Sequence, residues 1–288
     1  MLVSGVTVRI GMLVAVALLW AAPLTIKSIT AQEFRIDTEV FVGEETEPIV
    51  ESLTLFADGL VYDFLIGKQS ETTVFDPHRG EFTLLDIDRQ VRAVVKTQDV
   101  LDYTFQLEQY AAQDPNPIFA AAAQPNFAVT HETADEKGMK VSYLRLAGKP
   151  IEYSAVGTVP EQIESVRFYR NFADWYARLN STRSGNLPPG SRMALNKALA
   201  DHDLLPSEIT RTITDGGRFS KKLVVRSTHL YNWKLSGEDR RQIAKVGDQM
   251  RDFRVVSFDD YRGAIAPAEA TKSGASNNAS RSTAPTMR

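Results

Sequence analysis

The chain has 288 residues, 33 Lys and Arg against 36 Asp and Glu, 43% hydrophobic residues and no cysteine. A formal charge of −3 offers no basic field for nucleic acid, and zero Cys removes disulfides, thiolate metal sites, iron–sulfur clusters and cysteine nucleophiles. With only four His as imidazole donors, composition argues against a cofactor-rich enzyme, and no cofactor or metal is expected.

The N-terminus has the pattern of an export signal. Ile10 to Ala22 is an uncharged apolar run, preceded by Arg9 and followed by Pro23, Lys27 and the small-residue stretch ending at Thr30-Ala31-Gln32. A positive start, an apolar stretch of this length and a polar mature start predict a signal peptide over residues 1–31, cleaved after Ala31. The alternative is an uncleaved anchor, since Leu24 and Ile26 prolong the apolar run toward bilayer length. No cysteine follows it, so a lipobox anchor is closed. Removing 1–31 takes away Arg9 and Lys27 and no acid, leaving 31 basic against 36 acidic residues and a charge of −5. A periplasmic or secreted bacterial protein is expected, touching a membrane only through that segment if it is retained.

From Phe34 the period is two. Phe34, Ile36, Val40 and Val42 alternate with Arg35, Asp37 and Glu39, as in a half-buried strand. Ile49 to Ala57 is again extended, Asp58-Gly59 signals a hairpin, and Leu60, Tyr62, Phe64 and Ile66 line one face of the return strand. Thr72–Phe75, Phe82–Leu85 and Val91–Val95 follow, with turns at Asp76–Gly80 and Asp86–Asp88, so the pattern predicts an antiparallel meander. Val100, Tyr103, Leu107 and Tyr110 change the period to that of a helix, with Thr97 as its N-cap and Asp114-Pro115-Asn116-Pro117 as its stop.

Beyond an Ala-rich patch at Ala120–Ala123, strands are predicted at Phe127–Thr130, Val141–Leu146 and Ile151–Val156. Pro160 is predicted to open the longest helix, running to about Leu179 with Phe168, Phe172, Trp175, Tyr176 and Leu179 on one stripe. A helix over Ser191–Ala200, a short helical turn from Ser207, and one or two strands over Phe219–Trp233 come next. Ser236 with Asp239 suggests a capping box before a helix carrying Ile243, Val246, Met250 and Phe253. Val255–Tyr261 is expected to close the sheet. Residues 263–288 hold only Ile265 and Met287 as large apolar side chains and are expected to be a disordered tail.

The sum is a single α+β domain over residues 32–262, with eight to ten antiparallel strands in a curved sheet, an incomplete barrel, packed on amphipathic helices. The stretch Thr73-Val74-Phe75-Asp76-Pro77-His78-Arg79-Gly80-Glu81-Phe82-Thr83-Leu84-Leu85-Asp86 resembles the strand, Asp-Pro turn, strand repeats of the LolA-like lipoprotein-carrier superfamily and of exported bacterial proteins related to it. The order of elements over about residues 33–261 is similar too, except for the long helix from Pro160. That resemblance implies an apolar or amphiphilic ligand, such as a lipid or lipoprotein acyl chain, held between sheet and helices. Phe168, Phe172, Trp175 and Tyr176 are then the candidate ligand wall, although filling the core is the ordinary role of such a stripe.

Other motifs weigh against chemistry. His131-Glu132-Thr133-Ala134-Asp135 resembles HExxH with the last His replaced, but it reads as strand end and turn, not helix. Asp86 and Asp88, with Asp76 and His78 nearby, read as turn formers before metal ligands. Asp201-His202-Asp203 reads as a polar helix end, and His229 as a half-buried strand residue beside Tyr231 and Trp233. Lys221-Lys222, Arg226 and Arg240-Arg241 read as solvated faces. Asn180-Ser181-Thr182 and Asn278-Ala279-Ser280 match the glycosylation pattern without weight in a bacterium. No GxSxG, SxxK, P-loop or GxGxxG occurs. The favoured expectation is an exported, non-enzymatic carrier; the alternatives are an envelope interaction protein and a hydrolase built on Asp86 or Asp88.

Overall fold

A computed structural model describes residues 33–67, 70–215 and 222–263. The expected signal segment 1–31, the tail from 264 onward and Lys221 lie outside the described residues.

Among the described residues the protein is α+β, with twelve strands in one unclosed sheet and six helices. The first meander comprises β1 (Phe34–Val42), β2 (Val50–Ala57), β3 (Leu60–Ile66), β4 (Glu71–Asp76), β5 (Glu81–Asp86) and β6 (Val91–Lys96). After α1 (Thr97–Ala112) and α2 (Pro117–Ala123) come β7 (Ala128–Glu136), β8 (Met139–Ala147) and β9 (Ile151–Thr158). Helices α3 (Glu164–Ser181) and α4 (Gly190–Asp201) precede β10 (Leu205–Thr214) and β11 (Lys222–Asn232), and the chain continues through α5 (Gly237–Asp252), β12 (Arg254–Val255) and α6 (Phe258–Gly263). The strand order is β12-β6-β5-β4-β3-β2-β1-β11-β10-β9-β8-β7. Two meanders thus lie side by side, joined where β11 pairs with β1 from Arg35↔Asn232 to Val42↔Val225. Every pairing is antiparallel except that of β12 with β6.

Burial follows from what covers each half. Strands β4 and β5 are buried at nearly every position, because both of their faces are covered. On one face Phe34, Phe56, Phe75 and Phe82 share a core with Val166, Tyr169 and Phe172 of α3. On the other, Leu53, Leu55, Val74 and Leu85 meet Val246 of α5, flanked by Ile243, Met250 and Phe253. Strand β9 instead alternates buried and partly open positions, the pattern of a sheet covered on one side. Its Ile151, Tyr153 and Ala155 pack with Leu195 and Leu199 of α4. The N-terminus of α4 lies so close to the end of α2 that a Cβ at Gly190 would collide with the Ala123 carbonyl oxygen, which requires glycine there.

Several expectations need correcting. The expected eight to ten strands are twelve; β10 is a strand not expected, and β7 runs on through Glu136. Ser207 begins no helical turn: it lies in β10, whose Ile209-Thr210-Arg211-Thr212-Ile213 run is rich in β-branched residues. Val255–Tyr261 does not close the sheet as a strand; two residues pair in parallel with β6, and Ser257 then caps α6 by accepting from the Asp260 amide at 3.0 Å. Helix α3 starts at Glu164, four residues past Pro160. Thr97 is already inside α1, where its hydroxyl donates to the Gly80 carbonyl at 2.9 Å and its place as N-cap falls to Lys96. The Ala-rich patch is the helix α2, capped by the Asn116 side chain accepting from the Ile118 amide, with proline at the first turn. The capping box at Ser236 and Asp239 is present.

Candidate functional site

Helix α3 sets its aromatic stripe against the first meander. Phe172 is buried, with its ring edge-on to Phe56 at 5.8 Å and 5.1 Å from Tyr176, while Phe168, Trp175 and Tyr176 are partly buried against the same cluster. Phe34 and Phe56 stack at 4.0 Å beneath them, and Phe75 and Phe82 at 4.6 Å. The void beside this core, lined by Leu84, Leu179, Arg183 and Tyr261, is about 20 Å³, close to the room one water needs.

A closed polar network crosses this apolar interface. Asp63 of β3, 4% exposed, accepts from the Thr54 hydroxyl at 2.7 Å and the Tyr176 hydroxyl at 2.8 Å. Burial raises its pKa, against the opposing pull of those two hydrogen bonds. Burial also holds the Tyr176 phenol well above its ordinary range, with the neighbouring Asp63 charge adding to it. Two residues short of Thr73, Glu71 accepts from the Arg183 guanidinium and from the Tyr261 hydroxyl at 3.1 Å. Arg89 bonds the Tyr261 carbonyl at 2.9 Å and lies over its ring. Each buried acid here has donors, so the network ties α3 and α6 to β3 and β4. No sequence pattern announces it, because its members are 113 and 190 residues apart. The one available signal is the acid itself, standing at an inward position of a strand.

A wider opening lies elsewhere, at the β7–β8 hairpin. A cleft of about 900 Å³ is lined by His131, Met139, Val159, Pro160, His202 and Trp233, with Thr133, Lys140, Ser142, Thr158 and Glu161 supplying polar groups. It exists because β7 overhangs. Register places His131 opposite Leu144 and Thr133 opposite Ser142, on the face that α4 covers for β8, yet every residue of β7 is exposed. His202, at the C-terminal end of α4, reaches across to stack on His131, the ring centroids 4.1 Å apart and 28° from parallel. Trp233, just past β11, stacks on Tyr231 at 6.1 Å. The site therefore sets Met139, Val159, Pro160 and Trp233 against a polar side that carries both signs of charge, Lys140 and Glu161.

The remaining sequence motifs resolve into structure. His131 and Asp135 sit on a strand, so they are four strand residues apart along an extended chain, not one helical turn; Asp135 accepts from the Gly138 amide in the turn. Asp86 accepts from the Arg89 amide and side chain, and Asp76 from the His78 and Arg79 amides. Asp201 pairs with Lys197, Arg240 with Glu33 and Arg241 with Glu238, and Arg226 lies over the Phe41 ring at 4.3 Å. Asn180 lies in the last turn of α3 and its carbonyl accepts from Asn186. Among the described residues no three His, Asp or Glu are grouped to hold a metal ion, and no helix is long and apolar enough to cross a membrane. His229 sits between two hydroxyls, its ring nitrogens 3.1 Å from Thr38 Oγ1 and 3.1 Å from Ser227 Oγ. Burial, helped by the charge of Arg192, pushes its pKa down to about 3.

No family model matches the chain, and no curated protein matches it. Among solved structures the chain is similar to "Structure of PNGF-II in P21 space group", with a TM-score of 0.34, 11% identity, 81% of this chain covered and 33% of that one. It is similar also to "Structure of PNGF-II in C2 space group", with a TM-score of 0.32, 9% identity and coverage of 79% and 31%. The chain spans about a third of the length of these structures.

Proposed function

We propose that the protein is an exported, non-enzymatic binding protein of the bacterial envelope that takes an amphiphilic, lipid-like ligand in the cleft under the β7–β8 hairpin. The carrying observation is the contrast between the two helix–sheet interfaces. Between α3 and the first meander the aromatic stripe is in contact with the sheet and the adjacent void is water-sized. Beside α4 an open cleft of about 900 Å³ has Met139, Val159, Pro160 and Trp233 as apolar wall and the His131–His202 pair with Lys140 and Glu161 as its polar side. A cleft of that volume, with an apolar wall facing polar and charged groups, suits a small amphiphile. The ligand position inferred from the resemblance thus moves from Phe168, Phe172, Trp175 and Tyr176 toward the other end of the sheet. We take the sheet to be the curved, incomplete barrel of the LolA-like carriers, since an open sheet of this many strands is expected to coil and not lie flat.

Trp233 is a built-in reporter. With residues 1–31 removed, Trp175 and Trp233 are the remaining tryptophans, so Trp175→Phe leaves Trp233 alone. Titration with lauroyl lysophosphatidylcholine below its micelle concentration should shift Trp233 emission to the blue with saturation, and His202→Ala should weaken the response. Unchanged Trp233 emission across the titration overturns the reading.

The second reading, an envelope protein that engages a partner through its surface, is favoured by β7. It is a nine-residue edge strand with a neighbour on one side only, and an open edge is a template for strand addition by another chain. Capture of a partner that is lost when a proline replaces Thr130 or Glu132, with no amphiphile bound, would favour that reading over the first.

A further inference from the structure

Between the two apolar cores the helix side of the sheet turns polar, and its charges are of one sign. Register puts Thr38 of β1 opposite His229 of β11, Ser227 opposite Ile209 of β10, and Arg211 of β10 opposite Val225. All lie on the face that carries the buried Ile36 and Ile209. The acids of these strands and of β9, namely Asp37, Glu39, Glu152 and Glu208, occupy the alternate positions and point to the opposite face. The described parts of β1, β9, β10 and β11 therefore bring no carboxylate to the helix side, but they do bring a guanidinium.

A second guanidinium comes down from α4. Arg192 donates to Asn196 Oδ1 at 3.0 Å and reaches the Tyr169 hydroxyl at 3.4 Å, and its charge is felt by both His229 and Tyr231. Its neighbour Ser191 lies 3.4 Å from the hydroxyl of Tyr153, and Tyr153 is the residue paired with Arg211 on β9. Among the described residues neither arginine has a carboxylate within ion-pair distance, whereas Arg183 has Glu71 and Arg35 has Asp37 and Asp239. The Nε–H of Arg211 is buried with no acceptor. A buried donor without a partner is costly, and a guanidinium more so. An arginine held this way presents a planar fork shaped for an oxyanion.

We propose that this part of the helix side, where the strands bring no carboxylate and Asp174 of α3 is held by Asn196 at 2.8 Å, is an oxyanion-binding site, in which Arg211 and Arg192 hold a carboxylate or phosphate group on the helix side of β10 and β11. The group reaches it from the rim at Leu223, which lies on the same face one strand pair beyond Val225 and is 46% exposed. The valines flanking that path, Val42 and Val225, would accommodate an apolar substituent, so the shared chemistry covers free phosphate and the acid end of an acyl chain. The site is separate from the cleft at Trp233, and each can fail without the other.

The test is isothermal titration of the protein lacking residues 1–31 with inorganic phosphate and, separately, with octanoate, in a chloride-poor buffer. Saturable binding of at least one is expected, with affinity reduced at least tenfold in Arg211→Gln and in Arg192→Gln. Binding of phosphate alone identifies a phosphate source, and binding of octanoate alone, or of both in competition, an acyl carboxylate. Because a variant can be disturbed in folding, the Arg211 Nε–Hε resonance of the unaltered protein is followed in parallel and should move with the same saturation. Absence of binding by both probes, undiminished binding in both variants, or an Arg211 resonance that stays fixed while heat is released would overturn the proposal.

Discussion

The Tyr176 hydroxyl donates to the Asp63 carboxylate at 2.8 Å, tying α3 to β3 across 113 residues of sequence. Tyr176→Phe removes that donor and leaves Asp63 with Thr54 alone. The expected cost is about 1–3 kcal/mol, the penalty of a buried acceptor losing a partner, read as a lower urea midpoint with an unchanged slope. The pH dependence carries a sign. The folded pKa of Asp63 lies above its unfolded value, so the folded state binds the extra proton and stability falls as pH rises through that window. Because the Tyr176 bond opposes the rise, the variant should extend the fall to higher pH; a profile parallel to that of the unaltered protein would contradict this.

Arg183 and Glu71 form the other half of the network. Arg183→Met leaves Glu71 inside with the Tyr261 hydroxyl as its donor. It should cost about 2–4 kcal/mol, somewhat under the figure for a fully buried pair because the Arg183 side chain keeps 30% exposure. The double variant with Glu71→Gln should be more stable than Arg183→Met alone. Chemical denaturation of the three variants decides it, and additive losses would show that the two side chains do not depend on each other.

Phe172 contacts Phe56, Phe75 and Tyr176. Phe172→Ala should cost about 3–5 kcal/mol through lost burial and the cavity left behind. A thermal melt of delipidated protein checks this. An unchanged melting temperature would mean that the stripe faces ligand and not core.

His229 should make the protein acid-sensitive. Its folded pKa of about 3 lies below the unfolded value near 6.5, so its neutral form contributes in full above the unfolded value. That contribution is lost as pH falls from about 6.5 toward 3, amounting to roughly 3–5 kcal/mol. The difference in unfolding free energy between the unaltered protein and His229→Gln, followed from pH 7 to pH 4, should shrink as pH falls. A constant difference would rule out His229 as the source.

Local signals carried much of the fold. Alternation at Phe34–Val42, the Asp58-Gly59 hairpin and the Asp76–Gly80 turn define the first meander, because each strand pairs with the next and short-range chemistry decides it. The segment from Ser207, expected as a short helical turn, is part of β10; its β-branched Ile209-Thr210 and Thr212-Ile213 favour a strand, while its apolar residues recur four apart and give no clear alternation. The join of β11 to β1 has no local signature. Nor does the His131–His202 stack, which links β7 to the end of α4 over an opening that exists only because β7 extends beyond the helix cover. The aromatic stripe of α3 was visible as a stripe, but periodicity does not say whether sheet or ligand lies against it.

Native mass spectrometry of the protein recovered from a bacterial envelope, before and after organic extraction, tests the binding claim most directly. The account predicts an extractable amphiphile of defined mass bound one per chain, retained by Phe168→Leu and lost from a protein carrying Trp233→Ala with His202→Ala. A clean unliganded mass before extraction, or an adduct retained in the Trp233 and His202 double variant, would contradict it.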